Sequence, residues 1–302
     1  MKNKVKIALL GGDLRHYVTA CALSAKEWEV RLWGMTPTAK ETSEVIVCKS
    51  CEEALLGAKA VILPLPASSD GQSLNCPMLA DEKPISLQKL LPMISADAMI
   101  IGGRMPHDFV VAAESRGLRV WDYFSSEAFQ IKNAYTTAEA ALSIAMNSLN
   151  REVRGAHVAV TGYGRIAKSL VRLLRAMEAE VTVAARKDAD LAWATLQGCE
   201  TLKLEDASAK VQICDQLSHG YDVIYNTVPT WLFDRHFLSG VDPKTFLIDL
   251  ASAPGGIDIC AAKELGSNVL WATSLPGKYA PVSAGEGIAS CVESILQKEV
   301  GT

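Results

Sequence analysis

The sequence predicts an α/β fold of two doubly wound parallel-sheet domains joined by a helical linker. Three observations predict it. The 302 residues exceed one ordinary domain and suit two. Short apolar runs alternate with helical patterns twice, once before and once after a long alanine-rich helix. Near the middle, "HVAVTGYGRIAKSL" reads as a strand, a glycine turn and a helix start.

In the first half, "KIALLGG" is a strand, followed by a helix from Leu14 to Lys26. "EVRLWGM" and "EVIVCKS" are further strands, and "CEEALLGA" a short helix. Then come "AVILPLP", a helix near "SLQKLLPMI", "AMIIGG", a helix from His107 to Arg116, and "LRVWDYF". Strands alternating with helices imply a parallel sheet covered on both faces. "TTAEAALSIAMNSLN", Thr136 to Asn150, reads as a buried helix capped by Thr136 or Thr137, with Glu139 in its first turn. In the second half "HVAVTG", "EVTVAAR", "YDVIYNTVP", "TFLIDLAS" and "NVLWATS" are strands, and a last helix runs from about Ala284 to Lys298. The expected organisation is a flavodoxin-like domain at 1–132, a linker helix at 133–150 and a Rossmann domain at 151–283. A C-terminal helix at 284–302 is a candidate to pack back on the first domain.

Hydrophobic content of 49% and charged content of 21% fit a globular protein with a sizeable core. A net charge of −4 argues against a nucleic-acid or anionic-membrane surface. No apolar run approaches the roughly 20 residues that span a bilayer. "MKNKVKIALLGGD" ends its apolar run too soon for a secretion signal, so the expected location is the cytoplasm. Eight scattered cysteines do not suggest a disulfide framework. Cys48 and Cys51 form one CxxC with no second ligand pair, which reads as two ordinary thiols and no metal site.

Gly162, Gly164 and Ala167 make G-x-G-x-x-A in a strand–turn–helix–strand unit. The first glycine permits the tight turn, the second lets backbone approach a pyrophosphate, and the small third residue seats the helix close to the strand. Arg165 and Ile166 continue the turn. The next strand ends in Ala185, Arg186 and Lys187 rather than in the carboxylate that takes an NAD ribose hydroxyl. Two cations there favour a 2′-phosphate, hence NADP, with Arg165 as an added contact. Asn226, Thr227 and Pro229, ending the "YNTVP" strand, are candidates to line the nicotinamide ribose, and Ser252 in "DLASAPGG" could donate to a ligand.

The N-terminal turn "GGDLRH" lacks this pattern. Asp13 caps the following helix and would repel a pyrophosphate, so the first domain falls to the substrate side. Arg15 and His16 are candidates to meet an anion, as are Ser68 and Asp70 in "PASSDG" and Arg104 in "GGRMPH"; Arg104 is the stronger clamp.

The order "GGDLRH", "ILPLPASSDG", "NAYTTAEAAL", "GYGRIAKSL", "NTVPT", "DLASAPGGID", "LPGKYAPVSAGEGI" resembles the dipicolinate synthase A-subunit family over nearly the whole chain. The resemblance implies a formate/glycerate dehydrogenase-like layout with a Rossmann NADP-binding domain. It implies NADP-dependent oxidation of dihydrodipicolinate, or its hydroxylated precursor, to dipicolinate during sporulation, in the mother-cell cytoplasm. The partner would be the flavoprotein-like B subunit of dipicolinate synthase, and a homo-oligomer is open. The family commonly has Pro and Gly where this chain has Thr136 and Ala140. A dianionic substrate would make Arg104, Arg15 and Lys278 the candidates for its carboxylates, and Ser68, Thr137 and Ser252 candidate hydrogen-bond partners. His16, Asp70 and Glu139 stay open as the base, and the "LPGKYAP" loop is a candidate cover. Two other readings stand beside this one: an NAD(P)-dependent 2-hydroxy- or amino-acid dehydrogenase, and a non-catalytic NADP-binding subunit.

Overall fold

The computed structural model describes residues 4–35, 44–79, 84–204 and 216–299. Cys214 and the last residues of the chain lie outside them. Two compact units are present: residues 1–133 with 280–302, and residues 134–279.

The first unit carries β1 (Val5–Leu10), α1 (Leu14–Ser24), β2 (Trp28–Trp33), β3 (Ile46–Val47), α2 (Cys51–Leu55), β4 (Ala60–Ile62) and α3 (Leu87–Leu90). It continues with β5 (Met99–Gly102), α4 (His107–Ser115) and β6 (Arg119–Asp122). The six strands run parallel in the order β3-β2-β1-β4-β5-β6. Without the two-residue edge strand β3 this is the flavodoxin-like order; β3 turns it into the order typical of dinucleotide-binding sheets. Alternation buries both faces. Ile7, Leu9, Val30, Leu32 and Ile62 enter one core, while Ala8, Leu10, Val61, Leu63 and Ile100 enter the other.

α5 (Glu127–Ser148) is longer than expected, and the chain passes from the first unit to the second within it. It starts nine residues before Thr136. Ser126 caps it, its hydroxyl accepting from Phe129 N at 3.4 Å and its carbonyl from Gln130 N at 2.9 Å. Thr136 and Thr137 therefore sit in mid-helix and not at its N-terminus.

The second unit continues with β7 (His157–Thr161), α6 (Arg165–Ala176), β8 (Glu180–Ala185), α7 (Asp188–Leu196), β9 (Glu200–Lys203), β10 (Val223–Asn226) and α8 (Arg235–Gly240). β11 (Phe246–Asp249), α9 (Ile259–Leu265), β12 (Val269–Trp271) and α10 (Leu275–Tyr279) complete it. Its sheet, β12-β11-β10-β7-β8-β9, is also parallel and has the same internal order, so the fold class holds for both halves. Val158, Val160, Val183, Tyr225 and Ile248 face one core; Ala159, Ala184, Ile224 and Leu247 face the other. The expected "LPGKYAP" loop is instead the short helix α10.

The last helix, α11 (Pro281–Glu299), belongs to the first unit and packs on α1. Ile288, Val292 and Leu296 join the core that holds Ile7 and Leu9. The two helices approach backbone to backbone: Thr19 Oγ1 lies 2.9 Å from the Arg15 carbonyl and 3.0 Å from that of Gly285. A Cβ on Gly285 would come within 2.5 Å of the Arg15 carbonyl and 2.7 Å of Val18 Cβ. At Gly287, on another face of the helix, it would lie 3.7 Å from Phe129, an ordinary contact. Gly285→Ala is therefore expected to destabilise by about 1–3 kcal/mol. Gly287→Ala should be neutral or stabilising by up to about 1 kcal/mol through helix propensity. Denaturant unfolding of the two variants checks this.

Candidate functional site

In the second unit the candidate cofactor residues follow the C-terminal ends of adjacent strands, where open α/β sheets bind ligands. The turn after β7 needs its first glycine: Gly162 has φ +82°, and a Cβ there would meet Thr227 Oγ1 at 2.7 Å. A Cβ on Gly164 would meet nothing within 4 Å, so backbone is open to close approach. Gly164 is the N-cap of α6, and no side chain caps that helix. First-turn N–H groups and the helix dipole are thus presented to an anion. Ala167 is buried at the strand–helix contact. Arg165 and Ile166 begin α6, with Arg165 exposed and Ile166 half-buried.

After β8, Arg186 and Lys187 are exposed and, among the described residues, their side chains carry no hydrogen bond or ion pair. The nearest carboxylate in sequence, Asp188, is held by Lys203. Among the described residues, no carboxylate neutralises these two cations. These features fit a dinucleotide with a phosphate on its ribose: an open cradle, an uncapped helix N-terminus and two cations where an acid would serve NAD.

After β10 the structure corrects one expectation. Asn226 is fully buried and cannot line a ribose. Its Oδ1 accepts from Thr161 Oγ1 at 2.7 Å and Val228 N at 3.1 Å. Its Nδ2 donates to Asp249 Oδ1 at 2.8 Å and the Val228 carbonyl at 3.0 Å, so all four of its bonds are internal. Asp249, also fully buried, accepts further from Ala251 N, Gly256 N and Ile257 N at 2.8–3.2 Å. The Gly255–Gly256 pair lets the loop close over this carboxylate. Cβ atoms there would come within 2.9 Å of Asp249 Oδ2 and 2.3 Å of Asn226 Nδ2. Sequence reasoning did not single out Asp249; the signal was an acid ending a buried strand ahead of a glycine pair. Thr227 is half-buried and donates to the Thr161 carbonyl at 2.7 Å, while Pro229 and Ser252 are exposed. Lys278 is exposed on α10, Thr137 is buried in α5, and Glu139 is exposed on α5.

In the first unit the candidates follow β1, β4 and β5, three neighbouring strands. Here Arg15 is corrected. It is 7% exposed, and its guanidinium donates to both Asp13 oxygens at 2.7–3.1 Å and to the Leu65 carbonyl at 2.6 Å. It is a structural clamp and has no fork left for a substrate. Asp13 caps α1 through Arg15 N at 3.0 Å. Asp70 is corrected as a base. It accepts from Ser68 Oγ, Gln72 N and Ser73 N at 2.7–2.9 Å, and these bonds hold its carboxyl far below the usual carboxylate range. Ser68 thereby spends its proton within the loop. Arg104 is the candidate that stays available. It is exposed at the end of β5 with φ +51°, a conformation rare outside glycine. Asp122 holds its backbone N–H at 3.1–3.3 Å, and its guanidinium lies 5.7 Å from the Phe124 ring centroid.

His16 is corrected as well. It is 1% exposed; Nε2 donates to the Ile62 carbonyl at 3.3 Å, and Nδ1 has no partner. Burial pulls its pKa down to about 4. The ring is a neutral core histidine, poorly placed to collect a substrate proton. Burial likewise pushes the thiols of Cys51 and Cys76 up to about 12, far from thiolate chemistry. The His16 shift carries a pH signature. Between its folded value near 4 and its unfolded value near 6.5, the unfolded chain binds the extra proton, so stability falls as pH drops through that window. Unfolding free energy should lose about 3 kcal/mol there, and His16→Gln should flatten that part of the curve. Denaturant titrations across the window check it.

Comparison with known proteins agrees with this fold. Residues 6–124 match the family model described as the N-terminal domain of the dipicolinate synthase A subunit. The dipicolinate synthase A subunit of Bacillus subtilis (strain 168) is 27% identical over 296 residues, 98% of this chain and 97% of that protein. The crystal structure of the dipicolinate synthase A chain from Bacillus subtilis superposes with a TM-score of 0.82 at 26% identity, covering 99% of this chain and 97% of that one. Salmonella D-lactate dehydrogenase shares the fold at 14% identity and a TM-score of 0.65, covering 98% and 97%. Among the described residues no helix is long and apolar enough to cross a membrane. The identification suggested by the motifs therefore holds along nearly the whole length: the chain is a homologue of the dipicolinate synthase A subunit, and residues 6–124 form the N-terminal domain characteristic of that family.

Proposed function

We propose that this chain is an NADP-dependent oxidoreductase that converts dihydrodipicolinate, or its hydroxylated precursor, to dipicolinate, as the A subunit of dipicolinate synthase. The observation that carries the cofactor assignment is the exposed pair Arg186 and Lys187, whose side chains are unpaired among the described residues, beside an uncapped helix N-terminus. Whole-length similarity to a protein of that name supports the substrate. On this reading the reaction belongs to sporulation and to the mother-cell cytoplasm, and its partner is the flavoprotein-like B subunit.

NADP⁺, when bound, supplies the hydride acceptor. The chain's own residues bind and orient. Backbone at Gly162 and Gly164 and the first turn of α6 take the pyrophosphate, and Arg186 with Lys187 takes the ribose phosphate. Thr227, Pro229 and Ser252 border the nicotinamide end. Arg104 grips a substrate carboxylate with a planar fork, and Lys278 is a second cation for a dianion. Oxidation releases a proton besides the hydride. Aromatisation makes that proton easy to lose, so a weak base suffices; Glu139 is the candidate whose carboxylate is exposed and unpaired among the described residues.

The unsuitability of His16 and Asp70 as bases favours a second reading, a nucleotide-binding subunit whose partner performs the chemistry. Incubating the isolated chain with NADP⁺ and dihydrodipicolinate separates the two, because the first reading expects NADPH absorbance to rise without the partner. Absorbance that rises only with a 2-hydroxy or 2-amino acid would overturn both. Arg186→Glu should weaken NADP⁺ binding by about tenfold or more and change NAD⁺ binding by about twofold at most; equal losses would remove the cofactor assignment. Arg104→Ala should raise KM for the dicarboxylate by about tenfold and leave NADP⁺ affinity unchanged.

A further inference from the structure

The turn after β5 distributes its residues against the usual rule. Gly102, Gly103 and Arg104 follow one another, yet the left-handed backbone, φ +51°, falls on the arginine and on neither glycine. The glycines serve closeness instead. A Cβ on Gly102 would meet Met105 Sδ at 2.6 Å, and one on Gly103 would meet the Tyr123 ring at 2.7 Å. Arg104 thus holds a side chain at the position where glycine would sit without strain. Such a conformation persists only where the surroundings impose it.

Asp122 imposes it. Gly102 and Asp122 are register partners in the β5–β6 ladder, which sets the carboxylate beside the turn. Asp122 Oδ1 and Oδ2 accept from Arg104 N at 3.3 and 3.1 Å, and Oδ1 also accepts from Phe124 N at 2.7 Å. Among the described residues the Arg104 guanidinium makes no hydrogen bond or ion pair. An ion pair with Asp122 would have occupied the fork; the observed contact fixes the chain beneath it and leaves the fork open.

The same carboxylate places the ring under the guanidinium. Phe124 Cα lies two residues beyond Asp122, and its ring centroid is 5.7 Å from Arg104 Cζ. That ring is braced in turn. It meets buried Phe129 edge-on, with centroids 6.0 Å apart and planes at 75°. Phe129 meets Tyr123 in the same manner at 5.7 Å and 83°, and the Tyr123 hydroxyl donates to the Leu63 carbonyl at 3.3 Å. Arginine has much rotamer freedom to lose on binding. Here its backbone is held by a carboxylate and its head is attracted to a ring face, so a ligand meets a group already restrained.

We propose that Asp122 and Phe124 are positioning residues for the substrate carboxylate. Asp122 fixes the backbone of Arg104 in its left-handed conformation, and Phe124 holds the guanidinium for a planar, bidentate acid. The proposal rests on the reading of Arg104 as the substrate clamp.

Calorimetric titration of the full chain with pyridine-2,6-dicarboxylate, with and without NADPH, tests it. Arg104→Ala is expected to weaken binding about tenfold, Asp122→Ala about fivefold and Phe124→Leu about threefold. Asp122→Asn keeps an acceptor for the two N–H groups and should recover most of the Asp122→Ala loss. The double variant Arg104→Ala/Asp122→Ala should bind no more weakly than Arg104→Ala, because Asp122 acts through the clamp; a merely structural loss would add. Phe124→Leu with Arg104→Ala supplies the same cycle should Asp122→Ala not fold. Wild-type binding by Asp122→Ala or by Phe124→Leu, beside a weakened Arg104→Ala, would overturn the proposal and leave the clamp standing. A double variant weakened by both losses would do the same. Unchanged binding by Arg104→Ala, or no binding by the wild type, would overturn the clamp and the proposal together. Failure of the oxidoreductase reading would show separately, as absent NADPH formation.

Discussion

The Asp249 carboxylate is the constraint on which the second unit depends. It is sealed from water and accepts from one side chain and three backbone N–H groups. A buried charge is tolerable only when its lone pairs are met in this way. Through Asn226 the bonding reaches Thr161, and through Thr227 it returns to the Thr161 carbonyl. The ends of β7, β10 and β11 are thereby locked to one another. Gly162 stands directly after Thr161 and against Thr227, so its strained turn inherits its position from this network. What remains outside it is the open Gly164 and the uncapped start of α6. A buried acid thus builds a rigid edge, and the electropositive face of that edge is what a phosphate would meet.

The first unit has the same strand order and an opposite outcome. Its β1–α1 turn also uses two left-handed glycines, with φ +63° and +96° at Gly11 and Gly12. Asp13 then closes the helix start that Gly164 leaves open, and Arg15 neutralises Asp13 from within. Backbone carbonyls from the last residue of β4 onward are taken in turn by His16, Tyr123, Arg15 and the Asn75 amide. The turn is consumed by structure, which leaves Arg104, after β5, as an exposed cation of that edge. One topology therefore yields a turn open to phosphate and a turn closed to it, and the difference lies in one side chain at the helix cap.

This contrast also explains what could be read from the sequence. Strand and helix order was legible because an apolar run such as Ile7, Ala8, Leu9, Leu10 announces a strand buried on both faces. The glycine turn was legible because its requirement is local. α5 was misplaced at its start because Thr136 and Thr137 look like caps, while Ser126 does the capping within "SSEAF" at 125–129. Arg15, His16 and Asn226 carried the right chemistry for a site and proved to be structural. Their partners, Leu65, Ile62 and Asp249, are 50, 46 and 23 residues away, and no local pattern reveals them. The positive φ of Arg104 is likewise a tertiary outcome of the Asp122 contact.

The central claim is that the edge of the second unit is electrostatically built for a phosphorylated ribose. The most direct test is a paired titration of the unmodified chain with NADP⁺ and NAD⁺ at low and raised salt. Tighter binding of NADP⁺ by about tenfold or more, with the advantage shrinking as salt rises, is the expected result. Equal affinity for the two nucleotides at low salt would contradict it.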